Sequence, residues 1–81
     1  MRHELKILSR YFPCVCCDYK IFEIRLNDRN FKEGDIIHLK EWDGKKYTGR
    51  DCLRKIGYIL YDDVPGIEKG FCVFGLKRVE E

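Results

Sequence analysis

No apolar run in this chain approaches the ~18–20 residues of a membrane-spanning helix, so no contact with a membrane is expected. The first ten residues, MRHELKILSR, spread charge along their length and hold no signal-peptide core, which points to a cytoplasmic protein. Repeats, low-complexity segments and linkers are also missing. With 81 residues there is no room for a second domain, and a single domain over 1–81 is expected. A chain of this size buries only roughly 60–65% of the surface its unfolded form exposes, so the core must be economical. Strong charge of one sign is lacking too: 16 Lys and Arg stand against 14 Asp and Glu, for a net +2. That total is too small to mark a nucleic-acid-binding surface. No G-x-S-x-G, Walker loop, H-E-x-x-H or paired-carboxylate pattern is present, which favours a non-enzymatic role.

What is present is unevenly placed. Residues 19–32 carry four basic and two acidic side chains, and residues 40–55 carry six against three. Residues 56–81 hold three basic against five acidic, so the middle of the chain is basic and its last third acidic. Such runs are ordinarily solvated surface, but a small basic face is consistent with them. Five cysteines (Cys14, Cys16, Cys17, Cys52, Cys72) make an odd count without an export signal. They read as free thiols used as small buried apolar groups. Cys14 and Cys17 form a C-x-x-C, but neither a second ligand pair for zinc nor a βαβ context for redox chemistry accompanies it. No metal or cofactor is expected.

Hydrophobic periodicity outlines a mainly β chain. HELKIL alternates as a half-buried strand does. SRYFPCVCCD spaces Phe12, Val15 and Cys16 as a short helix does, with Ser9 as its candidate cap and Pro13 confining it to a turn or two. KIFEIRLN is the clearest strand, with Phe22, Ile24 and Leu26 on one face and Ile21, Glu23, Arg25 and Asn27 on the other. IIHLKEW is a third strand, ending at the Asp43-Gly44 hairpin signal. A long fourth strand runs from about Lys46 to Tyr61, where Gly49 and Gly57 mark bulges or bends. After a loop through Pro65-Gly66, FCVFGL is apolar on both faces, as if barrel and helix cover it from opposite sides. The expected architecture is a small pseudo-barrel of five to six strands with one short helix covering an opening.

The stretch DYKIFEIRLNDRNFKEGD, with HELKIL before it and EWDGKKYTGR after it, resembles the ASCH-like (activating signal cointegrator homology) proteins of the PUA-like superfamily. The likeness runs from His3 to about Leu76 and is strongest to short single-domain members of unknown function found in phage and bacterial genomes. The ASCH signature G-x-K-x-x-E-x-R falls on Asp18, Lys20, Glu23 and Arg25, matching at three of four positions. Asp18 replaces the glycine that ends the helix, where a left-handed conformation suits glycine best. The resemblance implies a PUA-like pseudo-barrel whose motif residues line a cleft between helix and barrel. It also implies binding of RNA or modified nucleotides. Some ASCH relatives hydrolyse acylated cytidine or cut RNA, although fold alone transfers neither activity.

The expected site centres on Lys20, Glu23 and Arg25, with Arg29, Lys40 and Tyr47 at its rim. Glu23 and Arg25 share a strand face at i, i+2. They form either a structural ion pair or a pair that grips a base and a phosphate. Asn27, Asp28 and Arg29 read as a turn in which Asp28 bonds its own backbone, and Arg29 is a candidate phosphate contact. Trp42 and Tyr47 flank the hairpin turn and either pack on each other or offer stacking surfaces. The first reading is an RNA- or nucleotide-binding module, monomeric or weakly dimeric. The alternatives are a hydrolase acting on a modified nucleoside or RNA through Lys20 and Glu23, or a protein-interaction adaptor. The hydrolytic ASCH relatives place a threonine where Glu23 stands, and Thr48 lies elsewhere in the chain.

Overall fold

Five strands and one helical turn follow the alternation of the sequence. The computed structural model describes residues 1–80. In chain order the elements are β1 (Arg2–Leu8), α1 (Phe12–Cys16), β2 (Phe22–Leu26), β3 (Ile36–Trp42), β4 (Tyr47–Leu60) and β5 (Phe71–Arg78). They form one sheet, ordered β1-β3-β4-β5-β2 and curled into a half-barrel. β1 lies parallel to β3, whereas β3, β4, β5 and β2 pair antiparallel in succession. The two edge strands, β1 and β2, face each other across an open seam.

The concave side holds the core. Leu5 and Ile7 of β1, Ile37 and Leu39 of β3, Ile56 and Ile59 of β4, and Cys72, Phe74 and Leu76 of β5 all point inward. Phe12 and Val15 of α1 and Phe31 from the 27–35 crossover complete it. Phe31 is held by its ring contacts with His3 and Phe74, and its N–H donates to Asn27 Oδ1 at 3.0 Å. Asn27, rather than Asp28, therefore organises this turn. Asp28 only approaches Arg29 at 4.0 Å.

Helix α1 departs from its expected cap. Tyr11 occupies the N-cap position without a side-chain hydrogen bond, and Pro13 sits in the first turn, where its missing N–H costs nothing. Ser9 instead ties β1 to β3, its N–H donating to the Trp42 carbonyl at 3.1 Å. At the other end Asp18 takes a left-handed conformation (φ 59°). The N–H groups of Tyr19 and Asp18 close back onto the carbonyls of Cys14 and Val15, at 2.9 and 3.1 Å, as a Schellman cap does. The strain of an aspartate there is offset by charge. Arg54, buried beneath the helix end, donates to the Val15 carbonyl at 2.9 Å and lies 3.4 Å from the Asp18 carboxylate, which also accepts from Arg78.

Both glycine signals in β4 mark breaks in the ladder. Opposite Gly57 the β4–β5 register shifts between Ile56 and Ile59. Around Gly49 (φ 95°) the β3–β4 register shifts between Lys40 and Trp42, which places Thr48 and Arg50 against Glu41. Glu41 is fully buried and accepts from the Thr48 hydroxyl and, bidentately, from Arg50 at 2.7 and 2.8 Å. Those hydrogen bonds from Arg50 and Thr48 hold its carboxyl at about 2, far below the usual value. Burial pushes Asp35 the other way, but hydrogen bonds from His3, the Lys32 N–H and the Met1 amino group outweigh it and leave its pKa lowered.

Two expectations about faces are corrected. The outer face of β5 is not covered by the helix, because α1 packs Phe12 and Val15 into the inner core and leaves Phe71 and Val73 half-buried. The thiols are also less buried than expected: Cys72 is buried and Cys52 half-buried, but Cys16 and Cys17 are exposed. Burial pushes the Cys52 thiol up to about 11.

The lowered carboxylate at Glu41 gives a pH signature. Its folded pKa lies below the ordinary 4.5, so its stabilisation is complete above that value and is lost as pH falls toward about 2. Urea denaturation across this range should show the midpoint falling with acid. Glu41→Gln should be less stable at neutral pH and lose less on acidification. An acid dependence identical to that of the parent would contradict this assignment.

Candidate functional site

The seam between β1 and β2 opens, beside α1, into a cleft of about 400 Å³. Lys6, Ile7 and Leu8 of β1 form one wall, and Phe22, Glu23, Ile24 and Arg25 of β2 the other. Tyr11, before α1, and Lys20, after it, close the end. The polarity of β2 makes this possible. Its apolar residues face out, with Phe22, Ile24 and Leu26 each more than half exposed, while Glu23 faces in and is 6% exposed. The strand thus presents its charged side to the seam.

Glu23 organises the charges. Its Oε1 accepts from Lys20 Nζ and its Oε2 from Arg25 Nε at 2.8 Å. Each cation has a second anchor: Lys20 Nζ donates to the Phe22 carbonyl at 2.7 Å, and Arg25 Nη2 to the Lys6 carbonyl at 2.7 Å. The last bond crosses the seam. Arg29 makes a second crossing, from Nη1 to the Glu4 carbonyl. Carbonyls of an edge strand that lack a ladder partner are thereby satisfied by guanidinium donors. The lining carries three cations against one carboxylate, a net +2. Aromatic rings stand beside them, with Lys20 Nζ 5.8 Å from the Tyr11 ring centre and 5.9 Å from that of Phe22. Arg10 also lies over the Tyr11 ring, 4.6 Å from its centre.

The family described as Domain of unknown function (DUF3850) matches residues 2–76. The chain belongs to this family. It is also similar to the "Uncharacterized 12.9 kDa protein in GpA 3'region" of Escherichia phage P2, with 42% identity over 54 residues, which is 67% of this chain and 50% of that one. The chain therefore spans about half the length of that curated relative.

Within this family member, the structure brings Lys20, Glu23 and Arg25 together and separates the other three expected residues from them. Arg29 lies farther along the seam. Lys40 and Tyr47 lie outside the cleft lining, with Lys40 4.6 Å from the Tyr47 ring centre and its Nζ 3.6 Å from Glu4. Trp42 and Tyr47 pack edge to face at 5.1 Å, and Lys6 covers Trp42 at 4.0 Å. The other lining residues escape sequence reasoning, among them Lys6, Tyr11 and Phe22, which bring a charge and two rings. Lys6 reaches the site only because β2 returns opposite β1, a pairing that no local pattern encodes. Thr48 is outside the cleft, its hydroxyl given to Glu41. Among the described residues, no group of three or more His, Cys, Asp or Glu could hold a metal ion.

Arg25 should therefore be as much a structural bridge as a site residue. Arg25→Ala should cost about 2 kcal/mol, the range for losing hydrogen bonds from a charged donor. Arg25→Lys should recover little of it, because a single ammonium cannot reach both Glu23 and the Lys6 carbonyl. Denaturant unfolding of the three proteins decides it, and a fully stable lysine variant would refute the bridging role.

Proposed function

We propose that the seam cleft binds a nucleotide, or one unpaired nucleotide of an RNA strand. The observation that carries this reading is a net-positive cleft of about 400 Å³ in which Lys6, Lys20 and Arg25 stand beside the rings of Tyr11 and Phe22. Cations supply phosphate contacts and rings supply a stacking surface, the combination that holds single-stranded nucleic acid. The cleft size falls within the range of small-ligand sites. The ASCH-like motif residues Lys20, Glu23 and Arg25 meet in it, and the resemblance to PUA-like proteins points to the same class of ligand. A carboxylate in the cleft suits recognition of a base, since it accepts hydrogen bonds from an exocyclic amine.

Binding is favoured over hydrolysis by the state of Lys20. Its ammonium is held by Glu23 and by the Phe22 carbonyl, so acting as a nucleophile or base would require breaking both contacts. Among the lining residues Tyr11 carries the one side-chain hydroxyl, which accepts a hydrogen bond from Arg10.

A titration of labelled single-stranded RNA at several salt concentrations tests the proposal. With two phosphates engaged, log affinity should fall against log salt with a slope of about −1.4. A Lys6→Ala, Lys20→Ala double variant should bind more weakly and with a flatter slope, its circular dichroism unchanged. Binding that ignores both salt and the double substitution would refute the cleft as the site, and no binding of RNA or of free nucleotides would refute the function.

A further inference from the structure

We propose that two copies of this chain associate through the outer face of β2, β5 and the end of β4, related by a two-fold axis that sets their strands antiparallel across the interface. The register places the apolar side chains of this face in rows. Ile24, Val73 and Leu60 lie side by side, flanked by Leu26 with Phe71 on one side and by Phe22 with Tyr58 on the other. Tyr58 is 72% exposed, Ile24 61% and Leu60 39%. Together they present roughly 600 Å² of contiguous apolar surface, at the upper limit for a typical monomer. That approaches the roughly 800 Å² per partner of a standard interface. In the row of Phe22 and Tyr58 the sheet is unobstructed at Gly75, which lies between them. A Cβ there would meet nothing closer than 3.9 Å, so the fold does not require glycine. Its missing side chain leaves a notch that a facing side chain can fill.

Charge decides the occupant and its orientation. At one end of the rows, the 61–70 loop exposes Asp63 and Glu68, and neither has an ion-pair partner among the described residues. At the other end, Lys55 and Lys77 pair in register on the same face and likewise lack a partner there. A face with an apolar centre, an acidic end and a basic end is complementary to itself when turned end for end. An axis along the strands would instead set like charges together. The face is used once per copy, so the assembly closes as a dimer. The observations behind this inference do not include the nucleotide reading, although the two surfaces meet at Phe22 and Ile24, which border the cleft; Tyr58 and Leu60, the positions tested, lie outside it.

Sedimentation velocity over a concentration series reads the outcome. The parent chain should show a monomer–dimer equilibrium, and Leu60→Lys should raise its dissociation constant about tenfold or more by burying an unpaired charge. If Leu60→Lys disturbs folding, Tyr58→Lys at the more exposed position serves instead. Lys55→Glu with Lys77→Glu, and separately Asp63→Lys with Glu68→Lys, should each weaken self-association, and an equal mixture of the two should restore dimers. A parent chain that stays monomeric at its highest soluble concentration overturns the proposal and assigns the face to another protein. A dimer indifferent to the apolar substitution, or a mixture that stays monomeric, overturns it as well.

Discussion

The half-barrel depends on how its seam is held. Five strands curl far enough for β1 and β2 to face each other, yet no backbone ladder joins them, so both edges would be left with unpaired carbonyls. Arg25 and Arg29 cross the gap and donate to the carbonyls of Lys6 and Glu4. Guanidinium groups suit this task because they reach farther than a backbone N–H and carry several donors in one plane. A ladder would have closed the barrel and eliminated the space between the strands. Bridging by side chains keeps the edges in register while leaving the cleft open at the α1 end. Glu23 completes the device, since it fixes the Arg25 guanidinium from below and neutralises part of the charge that the crossing concentrates.

The same constraint inverts β2. In a strand with period two, pointing Glu23 and Arg25 into the seam commits Phe22, Ile24 and Leu26 to the outside. Alternation alone would suggest the opposite, with the apolar side on the core. The core has no need of them: Phe74 and Cys72, which pair with Glu23 and Arg25 one strand away, are fully buried, and Phe31 enters from the crossover. The charged cleft and the apolar outer surface are consequently two sides of one five-residue strand. A one-residue slip of β2 against β5 would eliminate both at once.

Much of this architecture is legible in the amino-acid sequence. The strand count, the short proline-limited helix, the hairpin at Asp43-Gly44 and the ladder breaks at Gly49 and Gly57 all follow from local chemistry, and all stand where the sequence places them. Lys20, Glu23 and Arg25 also converge. What stays hidden depends on which strands become neighbours. Lys6 looks like any solvated residue of an alternating strand, and Tyr11 like a residue before a helix, until β2 folds back beside β1. The face turned inward by β2 is equally hidden, because alternation alone would put its apolar side on the core. Arg29 and Lys40 carry the right charge for the expected rim but lie elsewhere, Arg29 in the crossover, where it bridges the seam, and Lys40 on β3, where it packs on Tyr47.

The buried carboxylates show how a small core tolerates these irregularities. Glu23, Asp35 and Glu41 are nearly inaccessible to solvent, and each stands where the backbone pattern breaks. Glu23 is at the seam, Glu41 is opposite the Gly49 bulge, and Asp35 is where the crossover joins β3, with His3 Nε2 2.8 Å away. A bulge or an open edge exposes polar backbone and misaligns side chains, which an apolar residue cannot repair. An ionised carboxylate accepts several donors at once and so gathers separate segments into one network. No buried side-chain nitrogen or oxygen among the described residues is left without a partner. The consequence reaches the surface: three negative charges are neutralised inside by neighbours, so the cations that line the cleft answer to Glu23 alone. A chain with a net charge of only +2 can in this way still present a positive cavity.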